Sequence, residues 1–331
     1  FASGTADAVI IAVPHYWHPP LAIEALGSKI HVMCEKPAGV YTKQVREMNA
    51  AAVAAEKDGV VFGLMFNQRT NSLFRKMREM VQNGELGALR RNNWIVTNWY
   101  RPQCYYDSGG WRATWSGEGG GVLLNQCPHN LDLWQWICGM PKRITAFCHE
   151  GKWHDVEVED DVTAYAEYAD GSTGVFVTTT GDAAGDNRFA ITGDRGKLVL
   201  EDDALTFYKL ETPESEFTKT NTKPFGSPAF EKIKVETDGS NPEHVGVLQA
   251  FADNILRRGE LVARGVEGIN SLMISNAMHL SSWLGKGVEL PIDEELFHSM
   301  LQKRAQGSRA KAAGGAYVTV DDMDDSYNSG K

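Results

Sequence analysis

Three short apolar runs constrain what this chain can fold into. Ala8-Val9-Ile10-Ile11-Ala12-Val13, Ile30-His31-Val32-Met33-Cys34 and Val60-Val61-Phe62-Gly63-Leu64-Met65 are nearly continuous and rich in β-branched residues. Runs of this kind suit strands buried on both faces of a parallel sheet. Pro19-Pro20 opens a helical stretch through Leu26, and an Ala-rich stretch from Thr42 to Lys57 fills the second gap. The alternation predicts an α/β, doubly wound unit. Ligands of such sheets bind beyond the C-terminal strand ends. Here those ends carry the His15–His18 loop, Glu35-Lys36-Pro37 and Asn67-Gln68-Arg69.

From Leu73 onward the pattern changes. A helix from Leu73 to Asn83 leads through Gly84-Glu85-Leu86-Gly87 to a strand expected over Asn93–Trp99. Aromatic residues crowd the segment from Trp94 to Trp115, among them Tyr106 and Trp111, with Arg101, Asp107 and Arg112 between them. Many of these rings suit a core; some suit a pocket that stacks aromatic faces on a sugar. Strands follow over Arg143–Cys148, Asp161–Tyr168, Ser172–Thr180, Arg188–Thr192, Lys197–Leu200 and Leu205–Leu210, with turns such as Asp170-Gly171 between them. That spacing predicts an α+β domain with an open, mostly antiparallel sheet. Helices over Glu243–Arg257 and Val266–Leu284 close it. The expected division is residues 1–68 as nucleotide-binding domain, 69–306 as substrate and oligomerisation domain, and 307–331 as a polar tail or arm.

Between the two patterns lies Gly119-Gly120-Gly121-Val122-Leu123-Leu124-Asn125-Gln126-Cys127-Pro128-His129-Asn130-Leu131-Asp132. Three glycines feeding an apolar stretch with helical spacing predict a turn and then a helix. Asn125, His129 and Asp132, four and three residues apart, are expected on one face. An imidazole there suits proton transfer. The alternative is a helix cap at Asn125 and an ordinary buried histidine. Asp132 is open to either a structural or a catalytic role.

Composition excludes partners more than it selects them. The 331 residues carry a net charge of -10 and no basic stripe, so a nucleic-acid partner is not expected. No apolar run reaches membrane-spanning length, so no membrane association is expected. Five cysteines without a CxxC pair point to reduced thiols, a cytoplasmic location and no metal site.

Ala12-Val13-Pro14-His15-Tyr16-Trp17-His18, Glu35-Lys36-Pro37 and the Gly119–Asp132 segment, in that order, resemble the Gfo/Idh/MocA family of NAD(P)-dependent sugar and cyclitol oxidoreductases. Asn67 and Arg69, Gly84–Gly87, Trp111-Arg112 and Val288-Glu289-Leu290-Pro291 extend the resemblance to about residue 295. It implies a Rossmann domain followed by an open sheet whose outer face mediates a homo-oligomer. It implies NAD or NADP, with NAD favoured, and a sugar or glycoside substrate. By resemblance, Lys36 reaches the nicotinamide and the substrate hydroxyl, and His129 accepts the proton. Asn125 stands where relatives carry Asp, a departure expected to retune the site. Val13, Pro14, Trp17, His18, Glu35, Asn67, Trp111 and Arg112 are expected to border the cofactor; Tyr106, Arg112, Asn125, His129 and Lys36 border the substrate. Packing the loop is the alternative for Trp17 and His18.

The family's GxGxxG turn and acidic ribose-binding residue have no counterpart in this sequence. The chain is therefore expected to begin at the fourth Rossmann strand, with the first βαβαβ portion outside it. The expected activity is oxidation of a secondary hydroxyl, with C3 of a glycoside favoured by resemblance, or reduction of the corresponding ketone. The alternatives are a glycosidase that uses NAD transiently at C3 and a non-catalytic sugar or cofactor sensor.

Overall fold

A computed structural model describes residue 1 and residues 4–309. The expected tail therefore lies almost wholly outside the described residues. The first unit alternates strands and helices: β1 (Ala8–Ile11), α1 (His18–Gly27), β2 (His31–Cys34), α2 (Thr42–Glu56) and β3 (Phe62–Leu64). Its strands lie parallel in the order β1-β2-β3. Val32, Cys34 and Leu64 are fully buried, as runs with apolar residues on both faces require. Buried Ala22, Ala25, Val45 and Met48 face the sheet from α1 and α2.

Two further helices and one strand follow: α3 (Ser72–Gln82), β4 (Leu89–Val96) and α4 (Gln103–Asp107). Next come α5 (Pro128–Cys138), then β5 (Arg143–Glu150), β6 (Glu159–Glu167) and β7 (Thr173–Thr179). After β8 (Asn187–Gly193), β9 (Gly196–Glu201) and β10 (Ala204–Leu210) lie α6 (Glu214–Thr220), β11 (Phe230–Lys234) and α7 (Glu243–Ile255). The described fold closes with α8 (Gly268–Leu284), β12 (Val288–Glu289) and α9 (Glu294–Gln306). The nine strands run in the order β11-β10-β9-β8-β4-β7-β6-β5-β12, antiparallel except between β4 and β7. Val162, Ala164 and Ala166 point inward while Tyr165 between them is exposed, the period of a sheet with one covered face. The covered face packs Trp94 on Phe189 with ring centroids 4.3 Å apart, and Trp134 on Phe176 at 5.4 Å.

Two expectations shift. The strand expected over Asn93–Trp99 starts earlier and stops at Val96. Its polar start pairs from Leu89 onward with β8, and Arg90 is held by Asp194. Trp99 leaves the ladder to donate from Nε1 to Asn130 Oδ1 at 3.2 Å. The central helix begins only at Pro128, because β6 captures the preceding amides. Gly121 N and Leu123 N donate to Glu159 Oε1 at 2.8 and 3.1 Å, and Val122 N donates to Glu159 O at 3.0 Å. A Cβ on Gly121 would stand 2.0 Å from Glu159 O, so the approach requires glycine; Gly119 needs it for its φ of +81°. Asn125 therefore sits in the turn, not on a helical face with His129 and Asp132.

The chain also returns to its beginning. Val247 and Phe251 of α7 pack with Met33 and Met65, and Arg264 bridges to Gly63 on the edge of β3.

Candidate active site

The three strand ends supply one wall of the site. After β1, His15 and His18 turn inward. His18 Nδ1 lies 2.7 Å from Pro37 O and its Nε2 lies 2.7 Å from Val13 O, so this ring ties the first strand end to the second. After β2, a cis Lys36–Pro37 bond precedes the buried residues Ala38 and Val40. Lys36 Nζ donates to Asn125 O at 2.8 Å. Burial pulls the Lys36 pKa below its ordinary value, and the nearby carboxylates of Glu35 and Glu118 push back. After β3, buried Asn67 and Arg69 diverge. Asn67 Nδ2 lies 3.3 Å from His244 Nδ1. Arg69 donates from Nε and Nη2 to the two Asp132 oxygens, each at 2.7 Å, and from Nη1 to Glu267. That bidentate pair settles Asp132 as a structural partner of Arg69.

The glycine turn and α5 supply the facing wall. Pro128 occupies the first helical position, where its missing N–H costs nothing, and brings His129 into the first turn. His129 is 6% exposed, and its Nδ1 has no hydrogen-bond partner among the described residues. Burial, then the charge of Lys36, then His244 hold its pKa well below 6.5. The ring is therefore neutral at neutral pH, the state that can accept a proton. Asn125 is held from both ends of its amide. Nδ2 donates to Glu118 Oε1, and Oδ1 accepts from Tyr105 OH at 3.2 Å and from Gln126 Nε2 at 3.3 Å. Arg112 Nη1 in turn donates to Tyr105 OH at 2.9 Å, and its guanidinium lies over the Trp111 ring at 4.8 Å.

Lys36, Asn125, His129, Asn67, Trp111 and Arg112 thus gather around one cleft. Tyr106 stands behind them: its hydroxyl donates to Thr180 Oγ1 at 2.6 Å, its ring packs on His154, and it lies near Glu118 and Tyr105. Adjacent residues of the short helix α4 point apart, and Tyr105 faces the site instead. Glu35 accepts from Lys36 N at 3.2 Å, and Val13 O is held by His18. Trp17, beyond Pro14, is 59% exposed on the rim. In the sequence His15 is placed only within the strand-end loop and Tyr105 only among the crowded aromatics, and Glu118 goes unread. Glu118 reads there as a polar spacer in a glycine turn, and only its burial distinguishes it.

The cleft fits the nicotinamide end of a dinucleotide. Two buried polar atoms that lack a protein partner among the described residues, His129 Nδ1 and Asn67 Oδ1, belong to it. Lys36, Asn67, Trp111 and Arg112 are the residues that would hold it. The first turn of α1 is no pyrophosphate cradle, because Pro19 and Pro20 lack the N–H groups that bind phosphate. No group of His, Cys, Asp and Glu among the described residues could hold a metal ion.

Residues 1–66 match the oxidoreductase family with an NAD-binding Rossmann fold, and residues 74–199 match the GFO/IDH/MocA C-terminal domain. The chain is 25% identical to 1,5-anhydro-D-fructose reductase of Ensifer adhaerens over 86% of its own length and 80% of the relative. It is 31% identical to D-glucoside 3-dehydrogenase of Escherichia coli over 41% of its length and 36% of that protein. The WlbA dehydrogenase of Bordetella pertussis, solved with NADH and UDP-GlcNAcA, superposes with a TM-score of 0.73 at 25% identity, covering 88% of this chain and 81% of the other. The chain belongs to the Gfo/Idh/MocA family of oxidoreductases. It is an NAD(P)-dependent enzyme.

Proposed function

We propose that this protein oxidises a secondary hydroxyl of a sugar or glycoside, C3 being the favoured position, or reduces the corresponding ketone, with NAD preferred. The observation that carries the reading is the pairing of Lys36 with His129. An ammonium and a neutral imidazole lie close enough for the lysine's charge to help hold the imidazole neutral. Lys36 keeps one N–H on Asn125 O, which aims the remaining donors at a substrate oxygen. That contact strengthens as the oxygen gains negative charge. His129, neutral and desolvated, takes the hydroxyl proton. When bound, the nicotinamide supplies the hydride acceptor. Asn125 positions Lys36, and Arg112, stacked on Trp111, flanks the mouth. Residues 1–68 serve the cofactor and 69–306 the substrate. The names of the relatives, a glucoside 3-dehydrogenase and an anhydrofructose reductase, support a sugar as substrate.

The test is a panel of free sugars and glycosides mixed with NAD and followed by near-ultraviolet absorbance and chromatography. Formation of NADH with an intact, oxidised glycoside is the expected result. Release of the aglycone without net NADH would instead assign the glycosidase reaction.

A second copy of the chain is proposed to cover the open sheet face. Phe147, Thr163, Val177 and Ile95 stand directly opposite one another across four neighbouring strands, and both Phe147 and Ile95 are exposed. An apolar row of this kind marks an interface. Light scattering should give a multiple of the monomer mass, and Phe147→Glu should lower it.

A further inference from the structure

The residue with the most unusual surroundings in this cleft is Glu118. It is 2% exposed and it sits in the glycine turn. Its two oxygens have separate duties. Oε2 accepts from Ala113 N at 2.6 Å, and Oε1 accepts from Asn125 Nδ2. The second bond has a consequence for the whole network. With the nitrogen end of the Asn125 amide committed to a carboxylate, the oxygen end must face Tyr105 and Gln126, which both donate to it. Tyr105 OH, having given its proton to Asn125, can only accept, and it does so from Arg112 and Gln126. With Glu118 ionised, and so acceptor-only, the direction of the bonds in this chain follows from it.

We propose that Glu118 is the positioning residue of this site: it fixes the side-chain amide of Asn125, the residue whose backbone carbonyl accepts from the Lys36 ammonium, and its carboxylate adds to that of Glu35 in facing the lysine. The proposal rests on Lys36 acting on the substrate oxygen as described above. The groups facing Glu118 come from several elements: Lys36 after β2, His15 after β1 with its ring 3.1 Å from Glu118 O, Arg112 and Tyr105, Tyr106 of α4, and Glu159 of β6. Burial, reinforced by Glu159 and opposed by the Ala113 and Asn125 bonds and by Arg112, pushes its own pKa up to about 7. Its charge therefore changes in the range where the enzyme works, and the Lys36 donor changes with it.

The experiment measures the protonation of Lys36 without relying on turnover. The full chain is labelled with an acylating reagent across a pH series, and modification of Lys36 is read by mass spectrometry. Glu118→Gln removes the charge and leaves one amide donor facing another. Its Lys36 midpoint should move to lower pH, and kcat should fall about tenfold with little change in KM, as expected for the loss of one buried charged hydrogen bond. The limb of the pH profile near 7 should disappear. Asn125→Asp places a second carboxylate against the first, so the Lys36 midpoint should move to higher pH. The double variant Glu118→Gln with Asn125→Asp restores a single charge and should recover most of the lost kcat. An unmoved Lys36 midpoint in either single variant, or a double variant no better than Glu118→Gln, would overturn the proposal. If Glu118→Gln fails to fold, Asn125→Asp alone decides it by the same midpoint. A wild-type protein that oxidises no sugar would sink the functional reading, and the labelling result would still decide the role of Glu118.

Discussion

Two helices of this molecule begin in the same way and end up in opposite roles. His18-Pro19-Pro20 starts α1 and Cys127-Pro128-His129 starts α5; each places a buried histidine beside proline in a first turn. In α1 the ring lies between two backbone carbonyls, Pro37 O and Val13 O, both at 2.7 Å. In α5 the ring's Nδ1 has no partner among the described residues, and the ring lies against Phe66 with centroids 6.2 Å apart. The local sequence is nearly equivalent. What differs is what the third dimension brings to each ring: two strand ends to close together in one case, a lysine and an open cleft in the other. A buried histidine becomes a clamp when carbonyls reach both nitrogens and a base when none does.

Substitutions can break this comparison. His129→Ala should leave the melting temperature close to wild type and lower kcat by about 10²–10⁴-fold, the usual worth of a positioned base. Near-normal turnover would mean that another group takes the proton. Lys36→Ala should cost about 2.7–4 kcal/mol of transition-state stabilisation, read as a fall in kcat with the fold intact. His18→Ala should do the reverse of His129→Ala. It removes the ring's one N–H donor from between two buried carbonyls, so denaturant unfolding should show a loss of about 1–3 kcal/mol, while the pH profile of turnover keeps its shape. Equal effects of the two histidines on turnover would remove the distinction.

Acidity sharpens it further. Burial depresses the pKa of both rings, so the unfolded chain binds their protons first as the pH falls below 6.5. Stability present above 6.5 should therefore fall on acidification, less steeply in His129→Ala. Glu118 works in the opposite sense: with a folded pKa of about 7 against an ordinary 4.5, it takes stability away as the pH rises through that window. Melting curves from pH 4.5 to 7 in Glu118→Gln should show a gentler decline toward neutrality. Smallest of all, Tyr106→Phe should cost about 1 kcal/mol of stability through the lost Thr180 bond and leave kcat unchanged.

Local sequence was enough for the parallel unit. The runs ending at Cys34 and Met65 are apolar and buried, as expected; in the run ending at Val13 only Ile11 is buried, while Ile10 and Val13 are exposed, so burial on both faces does not hold there. Pro128 at a first helical position and the glycine at 171 in its hairpin turn are likewise local devices that read directly from residue type. Lys36 and His129 are singled out by resemblance to a family, the local pattern alone leaving His129 open to being an ordinary buried histidine. The division at residue 68 was read from the change in pattern alone; the packing of Val247 and Phe251 against Met33 and Met65 joins residues nearly two hundred positions apart.

Tertiary structure decided which polar residues meet. Asn125 left the helical face because Glu159, 34 positions on, held the preceding amides to β6. Asp132 became a partner of Arg69 because α5 crosses the end of β3. Glu118 acquired its surroundings because the glycine turn folds it under Ala113 and Asn125. Periodicity reports how a side chain relates to its own element. The partner that captures a proton or a charge comes from another element, and its distance in sequence carries no local signal.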